Sequence, residues 1–245
     1  MLYNPHTHRN IRLIAFDLDG TLTQHKCPLE AENRAVLDAL GETYHLLMVG
    51  AGRCRRIFEQ MGHYPIDIIG NYGMESAVYD PDTDDIRMTE ELSLPCDRAE
   101  MERRITMLRG EFGFTKYAGD NVEFHASGCV TFPILGTKAV LSDKLAFDPD
   151  RKKRRPLLAR VREVNPEYNV FVGGTSSFDM TPADYDKYKA LCRYCAAHGY
   201  THDEVLFLGD DFGNGGNDAA VYVSDIAFLP VTDYRCLAEL VKPLL

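Results

Sequence analysis

Short apolar runs alternate with helically spaced apolar positions at the start of the chain. The run IRLIAF at 11–16 is followed by Asp and Gly, a pattern typical of a strand buried on both faces of a parallel sheet. Helical spacing follows over 30–40, and the alternation continues with a strand at 44–49, a helix at 53–61 and a strand at 66–69. Strands and helices joined by such short links predict βαβ units.

The pattern changes in the middle of the chain. Two short runs at 76–79 and 86–88 flank a PDTDD turn and predict a hairpin. The elements predicted after the hairpin are helices at 97–109 and 148–164 and strands at 122–125, 129–134, 168–172 and 177–180. Strands in pairs, with helices between the pairs, are typical of an α+β arrangement.

The alternation of helix and strand returns near the end of the chain. The elements predicted there are a helix at 185–198, a strand at 205–208, a short helix from Asn217, a strand at 226–229 and a last helix from Tyr234. The sequence therefore predicts an α/β fold with a doubly wound, Rossmann-like parallel sheet. The predicted core domain, which carries this sheet, consists of residues 1–81 and 185–245. An inserted α+β cap domain is predicted for residues 82–184, and we expect it to close over the active site at the edge of the sheet.

Composition excludes several classes of protein. The 245 residues carry 27 Lys and Arg against 37 Asp and Glu, a net charge of −10 that disfavours nucleic acid and anionic membrane surfaces as partners. No apolar run approaches the ~18 residues of a membrane span, and we expect no signal peptide. Seven scattered cysteines argue against a disulfide framework and favour a cytoplasmic protein. Monomer and homodimer both remain open.

The strongest motif is the string FDLDGTL at 16–22, directly after the first strand. Active sites of open α/β sheets lie at the carboxyl ends of strands, and carboxylates at Asp17 and Asp19 can both reach one site there. Their like charges oppose joint ionisation, so that the pair can divide into a nucleophile and a proton donor. Gly20 permits the tight turn. The alternative for a bare DxDG string is a turn that caps a helix.

An acidic loop, GDDFGNGGND at 209–218, follows the strand at 205–208. The loop brings further carboxylates to the same edge of the sheet, and such hard oxygen ligands suit Mg²⁺. A solvated acidic turn is the alternative.

These motifs resemble those of the haloacid dehalogenase superfamily, whose members are mostly phosphatases and phosphomutases. The resemblance implies that Asp17 attacks phosphorus and forms a phospho-aspartate, and that Asp19 protonates the leaving oxygen and then activates water. It also implies that Mg²⁺ is bound by Asp17, the backbone carbonyl of Asp19, and Asp210. Asp211, Asn217 and Asp218 are expected to support these ligands or to add a ligand.

The resemblance also implies a lysine beside the nucleophile. Lys187 matches the family position at the start of the helix after the cap, and Lys189 is the competing choice on another face of that helix. The second motif departs from the family pattern, because the run at 49–53 has no Ser or Thr hydroxyl for the phosphate. We expect the backbone N–H groups of Gly50, Ala51 and Gly52 to bind the phosphate instead.

The predicted cap resembles that of the subclass with sugar phosphatases and eukaryotic-type phosphomannomutases. The strings GGTSSFD at 173–179 and GGND at 215–218, and the pair Asp186 and Lys187, resemble the phosphomannomutases most closely. In phosphomannomutases the cap carries arginines for the distal phosphate, but residues 123–144 contain no arginine. The candidate substrate residues of the cap are His125, Lys138, Lys144, Ser177 and Asp179.

We therefore predict a Mg²⁺-dependent phosphatase that hydrolyses a small phosphorylated metabolite, with a sugar phosphate as the expected substrate. A phosphomannomutase-like mutase is the alternative, and a phosphate-binding protein with weak catalysis is a second one. The basic run at 151–155 is interpreted as the solvated face of the helix at 148–164, and His6, His8 and His25 as surface residues.

Overall fold

The chain forms two compact units in a computed structural model that describes residues 1–5, 7–8 and 10–245. His6 lies outside the described residues. The first unit, here the core unit, consists of Met1–Glu91, Asp186–Gly213 and Asp218–Leu245. The second, here the inserted unit, consists of Leu92–Tyr185 and Asn214–Asn217.

Eleven strands and eight α-helices occur in the described part of the chain. The strands are β1 (Leu13–Phe16), β2 (His45–Val49), β3 (Asp67–Gly70), β4 (Glu75–Asp80), β5 (Asp85–Glu91), β6 (Glu123–Phe124), β7 (Val130–Pro133), β8 (Tyr168–Phe171), β9 (Ser177–Pro182), β10 (Val205–Gly209) and β11 (Ala227–Pro230). The helices are α1 (Ala31–Gly41), α2 (Cys54–Gln60), α3 (Arg98–Phe112), α4 (Leu141–Phe147), α5 (Leu158–Val164), α6 (Lys187–His198), α7 (Ala219–Tyr222) and α8 (Leu237–Val241). Over the described residues, none of these helices is both long and apolar enough to cross a membrane.

The core unit contains a sheet with the strand order β11-β10-β1-β2-β3-β4-β5. The strands from β11 to β3 pair in parallel, and the β4–β5 hairpin extends the sheet in antiparallel fashion. The central strand β1 is fully buried because its alternate residues enter two hydrophobic clusters, Ile14 and Phe16 on one face and Leu13 and Ala15 on the other. The predicted α/β class with a mostly parallel sheet is confirmed.

The strand register determines which loops lie side by side. Phe16, the last residue of β1, pairs with Leu208 of β10 and with Met48 of β2. The residues that follow these three strands therefore leave the sheet at the same edge. This edge carries the first motif, the glycine-rich turn at 50–52 and the acidic loop.

The inserted unit is built on an antiparallel sheet with the order β6-β7-β9-β8. Helix α3 contributes Met101, Ile105 and Leu108 to a hydrophobic cluster with Phe132 and Phe178 of the sheet. Arg109 is also buried, and its guanidinium donates to the carbonyl oxygens of neighbouring loops. The unit thus has its own core.

The predicted helix at 148–164 is wrong over its first half. Helix α4 ends before Asp148, and the carboxylate of Asp148 accepts hydrogen bonds from the backbone of Lys153 and Arg154 and from the Arg154 side chain. These bonds hold a loop that competes with the helix. Arg154 is fully buried and donates to the carbonyls of Gly173 and Ser177, so that its interpretation as part of a solvated face is also wrong.

The two units divide the chain at somewhat different places from the predicted core and cap. The predicted boundary after residue 81 separates the strands of the β4–β5 hairpin, whereas the structure keeps both strands in the core unit because they are paired along their length. Residues 214–217 group with the inserted unit, where the N–H of Val172 donates to the carbonyl of Gly215 at 2.8 Å.

Candidate active site

The first motif forms a tight turn directly after β1. The N–H of Asp17 donates to the carbonyl of Leu208 at 2.9 Å, and its side chain is almost fully buried. Gly20 has a φ of +99° and packs so closely on the Asp210 carboxylate that a Cβ there would overlap it. Thr21 donates to the same carboxylate at 3.3 Å. The glycine of the motif is therefore needed to bring the turn against the acidic loop.

Lys187 lies at the first position of α6 because Asp186 caps this helix. The Asp186 carboxylate accepts from the N–H of Lys189 at 2.7 Å, and this N-cap hydrogen bond begins the helix. The Lys187 side chain is fully buried, with Nζ 2.6 Å from Asp17 Oδ1 and 2.7 Å from Asp218 Oδ1. Lys189, the competing choice, is exposed.

Two carboxylates hold Lys187 in its charged form. Burial lowers the pKa of this ammonium, but the charges and hydrogen bonds of Asp17 and Asp218 raise it by more, so that the net shift is upward. Lys187 is therefore a fixed positive charge beside Asp17.

Asp218 also closes the acidic loop on itself. Its Oδ2 accepts from the N–H of Asp211 at 3.0 Å, and its own N–H donates to the carbonyl of Asp211 at 3.0 Å. A Cβ at Gly209 would lie 2.5 Å from the Asp218 carboxylate, so that the backbone approaches closely only because this residue is glycine. Asp211 is buried and contributes its backbone to this closure, and Asn217 is half-buried in the inserted unit.

A group of three carboxylates in the core unit can hold a cation. The group consists of one carboxylate oxygen from each of Asp17, Asp210 and Asp218, and these three oxygens lie within 4.8 Å of one another. Burial, reinforced by the neighbouring carboxylates, raises the pKa of Asp210 to about 8, and burial raises that of Asp218 to about 7. When all three carboxylates are ionised, the ammonium of Lys187 leaves the group with two negative charges, and a divalent cation with a preference for oxygen ligands fits it.

The side chain of Asp19 forms hydrogen bonds with residues outside the group of three carboxylates. Its Oδ1 accepts from Gln60 Nε2 and from the N–H of Lys26, each at 2.7 Å. Burial would raise the pKa of Asp19, but these hydrogen bonds and the charge of Arg56 outweigh burial and lower it. Asp19 is thus ionised in this conformation, and a metal bond from its backbone carbonyl stays a prediction.

At the start of α2, where a phosphate was expected to bind, the carboxylate of Glu75 accepts hydrogen bonds. Glu75 is buried, and its two oxygens accept from the N–H of Cys54 at 2.9 Å and from Arg53 Nε at 2.8 Å. The N–H of Gly50 donates to the carbonyl of Ile69 at 2.8 Å. Gly50 is therefore not available to a phosphate through its N–H, contrary to its prediction as a phosphate ligand.

The other two residues of the turn remain candidates for the phosphate. The N–H groups of Ala51 and Gly52 have no acceptor within the described ranges. The sequence did not predict that Glu75, Arg56 and Gln60 belong to this edge, because no local motif marks them. Tertiary packing brings Glu75 to the start of α2 and brings Arg56 and Gln60 to Asp19.

Three of the candidate substrate residues in the inserted unit form a hydrogen-bonded chain. The Asp179 carboxylate accepts from Ser177 at 3.2 Å and from Thr131 at 3.3 Å, and His125 Nε2 lies 3.1 Å from the Thr131 hydroxyl. Burial raises the pKa of Asp179 despite these hydrogen bonds. The remaining two candidates lie elsewhere in the unit: Lys138 is exposed, and Lys144 donates to the carbonyl of Thr137 at 3.2 Å. Their contact with substrate stays a prediction.

Comparison with known structures supports the fold. The IMP-nucleotidase of Plasmodium falciparum, solved with IMP bound, is similar with a TM-score of 0.70 at 12% identity, over 96% of this chain and 68% of that chain. A haloacid dehalogenase-like hydrolase from B. subtilis is similar with a TM-score of 0.61 at 16% identity, over 96% of this chain and 100% of that one.

Comparison with known sequences identifies the family. The phosphomannomutase of Saccharomyces cerevisiae is 26% identical over 230 residues, which cover 87% of this chain and 85% of the yeast protein. That of Solanum lycopersicum is 26% identical over 242 residues, which cover 89% and 87%. The family model described as eukaryotic phosphomannomutase matches residues 108–230, half of the chain. The chain therefore belongs to the eukaryotic phosphomannomutase family.

Proposed function

We propose that this protein is a Mg²⁺-dependent mutase of the phosphomannomutase type, which transfers a phosphoryl group between two positions of a hexose phosphate. The observation that carries the proposal is the buried Lys187 ammonium, bonded to both Asp17 and Asp218. Such a charge stabilises a phosphoryl group that is attacked by Asp17. The relatives named phosphomannomutase, aligned over most of the chain, supply the substrate class.

The chemistry requires two transfers. In the first transfer an oxygen of Asp17 bonds to one phosphorus of a hexose 1,6-bisphosphate while the bond from that phosphorus to the sugar oxygen breaks, and that sugar oxygen takes a proton from Asp19. In the second transfer the free hydroxyl of a hexose monophosphate gives its proton to Asp19 and attacks the phospho-aspartate, which frees Asp17 and forms the bisphosphate again. The lowered pKa of Asp19 suits this second transfer, in which it acts as the base. Bound to Asp17, Asp210 and Asp218, Mg²⁺ would supply positive charge for the phosphoryl oxygens.

Phosphatase activity is the second candidate, because two observations favour it. The predicted cap region has no arginine between residues 123 and 144, so that grip on a second phosphate is reduced, and the turn at 50–52 has no hydroxyl. A phosphatase holds one phosphate group and passes the phosphoryl group from Asp17 to water. A mutase must hold a phosphate at both ends of its bisphosphorylated intermediate.

One assay distinguishes the candidates. The protein is incubated with Mg²⁺, mannose 1-phosphate or glucose 1-phosphate, and the corresponding 1,6-bisphosphate as activator. We expect the 6-phosphate to form faster than free phosphate. Free phosphate without isomer would support the phosphatase, and neither product would favour the phosphate-binding protein without turnover.

We also propose a cytoplasmic location, supported by the scattered cysteines of the sequence. Fractionation of the source cells, followed by detection with an antibody, tests it. Recovery in a membrane or secreted fraction would contradict it.

The proposed metal site makes stability depend on pH. Because the pKa values of Asp210 and Asp218 are raised, the native state without metal binds more protons than the unfolded state between about pH 4 and pH 8. The free energy of unfolding of the metal-free protein should therefore fall as pH rises through this range. Mg²⁺ competes with these protons, so we expect it to raise the melting temperature more at pH 8 than at pH 5.5. Equal shifts at both pH values in thermal unfolding would contradict this.

A further inference from the structure

A guanidinium lies over the glycine-rich turn at 50–52. Arg56, in the first turn of α2, packs on Gly52 so closely that a Cβ at Gly52 would overlap its terminal atoms. The turn lies at the edge of the sheet where β1 and β2 end, and β1 and β2 are neighbours in the sheet. Arg56 is therefore a positive charge at the place where the second motif has lost its hydroxyl.

The same guanidinium contacts the proposed proton donor. Its two terminal nitrogens lie 3.5 and 3.4 Å from Asp19 Oδ2, which is longer than an ordinary charge-assisted hydrogen bond. One of them also donates to Gln60 Oε1 at 2.8 Å. Within the described residues Arg56 Nε has no acceptor, and the side chain is 43% exposed. Arg56 thus retains donors that an incoming anion can reach.

We propose that Arg56 binds the non-bridging oxygens of the phosphoryl group that Asp17 attacks, in place of the hydroxyl that the second motif lacks. This rests on the proposed phosphoryl transfer. A planar guanidinium offers two parallel N–H donors to a phosphate, and a single hydroxyl offers one. The N–H groups of Ala51 and Gly52, in the same turn, add donors beside it.

Gly52 and Arg56 depend on each other in this arrangement. A Cβ at position 52 would overlap the guanidinium, so that any side chain there requires the flexible end of Arg56 to shift. A serine at 52 would displace Arg56 but supply a hydroxyl. In a variant that also shortens residue 56, the serine would fit without displacing anything.

Binding of orthovanadate, a mimic of the transferring phosphoryl group, tests the proposal without requiring turnover. Its affinity is measured by calorimetry in the presence of Mg²⁺ for the wild type, Arg56→Gln, Arg56→Lys and Arg55→Gln. Arg55 is the matched control, because it lies on the same helix, is 49% exposed and pairs with Asp85. We expect Arg56→Gln to weaken orthovanadate binding by about 10- to 100-fold, Arg56→Lys to weaken it less, and Arg55→Gln to leave it unchanged.

The double variant Gly52→Ser with Arg56→Gln adds a rescue. We expect it to bind orthovanadate more tightly than Arg56→Gln alone, and the substrate KM should follow the same order. Equal affinity in the wild type, Arg56→Gln and Arg55→Gln would overturn the role of Arg56, whatever the turnover. If the wild type turns over no sugar phosphate, the proposed function fails, and orthovanadate affinity still decides the role of Arg56.

Discussion

Replacement of Asp17 with asparagine is expected to abolish phosphoryl transfer, with a loss of kcat on the order of 10⁴-fold or more. The amide has the shape of the carboxylate but lacks the negatively charged oxygen that bonds to phosphorus. Lys187 keeps its ion pair with Asp218 at 2.7 Å, so that the buried charge still has a partner. The loss should therefore come from chemistry and not from unfolding.

The measurement for Asp17→Asn is made on the phospho-enzyme as well as on turnover. Wild-type protein mixed with ³²P-labelled substrate and quenched in acid should retain the label, and the variant should retain none. Asp82→Asn, in the turn between β4 and β5, is a control because this residue is exposed and remote in sequence from the motifs. A variant at Asp17 that still turns over substrate with Mg²⁺ would contradict the assignment of the nucleophile.

The sequence predicted the core unit well where a local pattern and its tertiary role agree. The part of the run at 13–16 is apolar on both faces, and β1 is buried on both faces for that reason. The helix predicted at 148–164 shows the opposite case. Its charged first half satisfies helix rules locally, but Asp148 and Arg154 form a buried ion pair at 2.8 Å that only the folded inserted unit reveals. Local periodicity carries no information on such a pair.

The residues of the candidate site also fall into two groups, those that a sequence motif marks and those that only tertiary packing brings to the site. Asp17, Lys187 and Asp210 are marked by motifs, and the parallel register of β1 and β10 brings the first and last of them to one edge of the sheet. Arg56 packs on Gly52 of the turn at 50–52, and Glu75 accepts from Arg53 and Cys54 directly after that turn, both from elements that carry no motif. Their positions follow from the packing of α2 and β4 and could not be deduced from spacing.

Replacement of Lys187 with methionine is expected to destabilise the metal-free protein by about 3–5 kcal/mol, because it leaves buried carboxylates without their cation. Methionine fills a similar volume, so that the loss of charge dominates over the loss of packing. We expect the melting temperature at pH 8 to fall, and kcat to fall with it, because the phosphoryl oxygens lose the same charge. Lys189→Met is the matched control, since Lys189 is exposed on the same helix.

The cause of that destabilisation can be tested by pH, metal and a second substitution. Without Lys187, whose charge opposes the upward pKa shifts of Asp210 and Asp218, these pKa values should rise further. The native state then binds more protons than the unfolded state up to a higher pH, so that the free energy of unfolding of Lys187→Met should recover as pH falls from 8 to 5. At pH 8, Mg²⁺ should restore part of the lost free energy of unfolding. The second substitution Asp218→Asn should restore part of it without metal. If none of these restores stability, the loss comes from packing, and the charge balance inferred for this site is wrong.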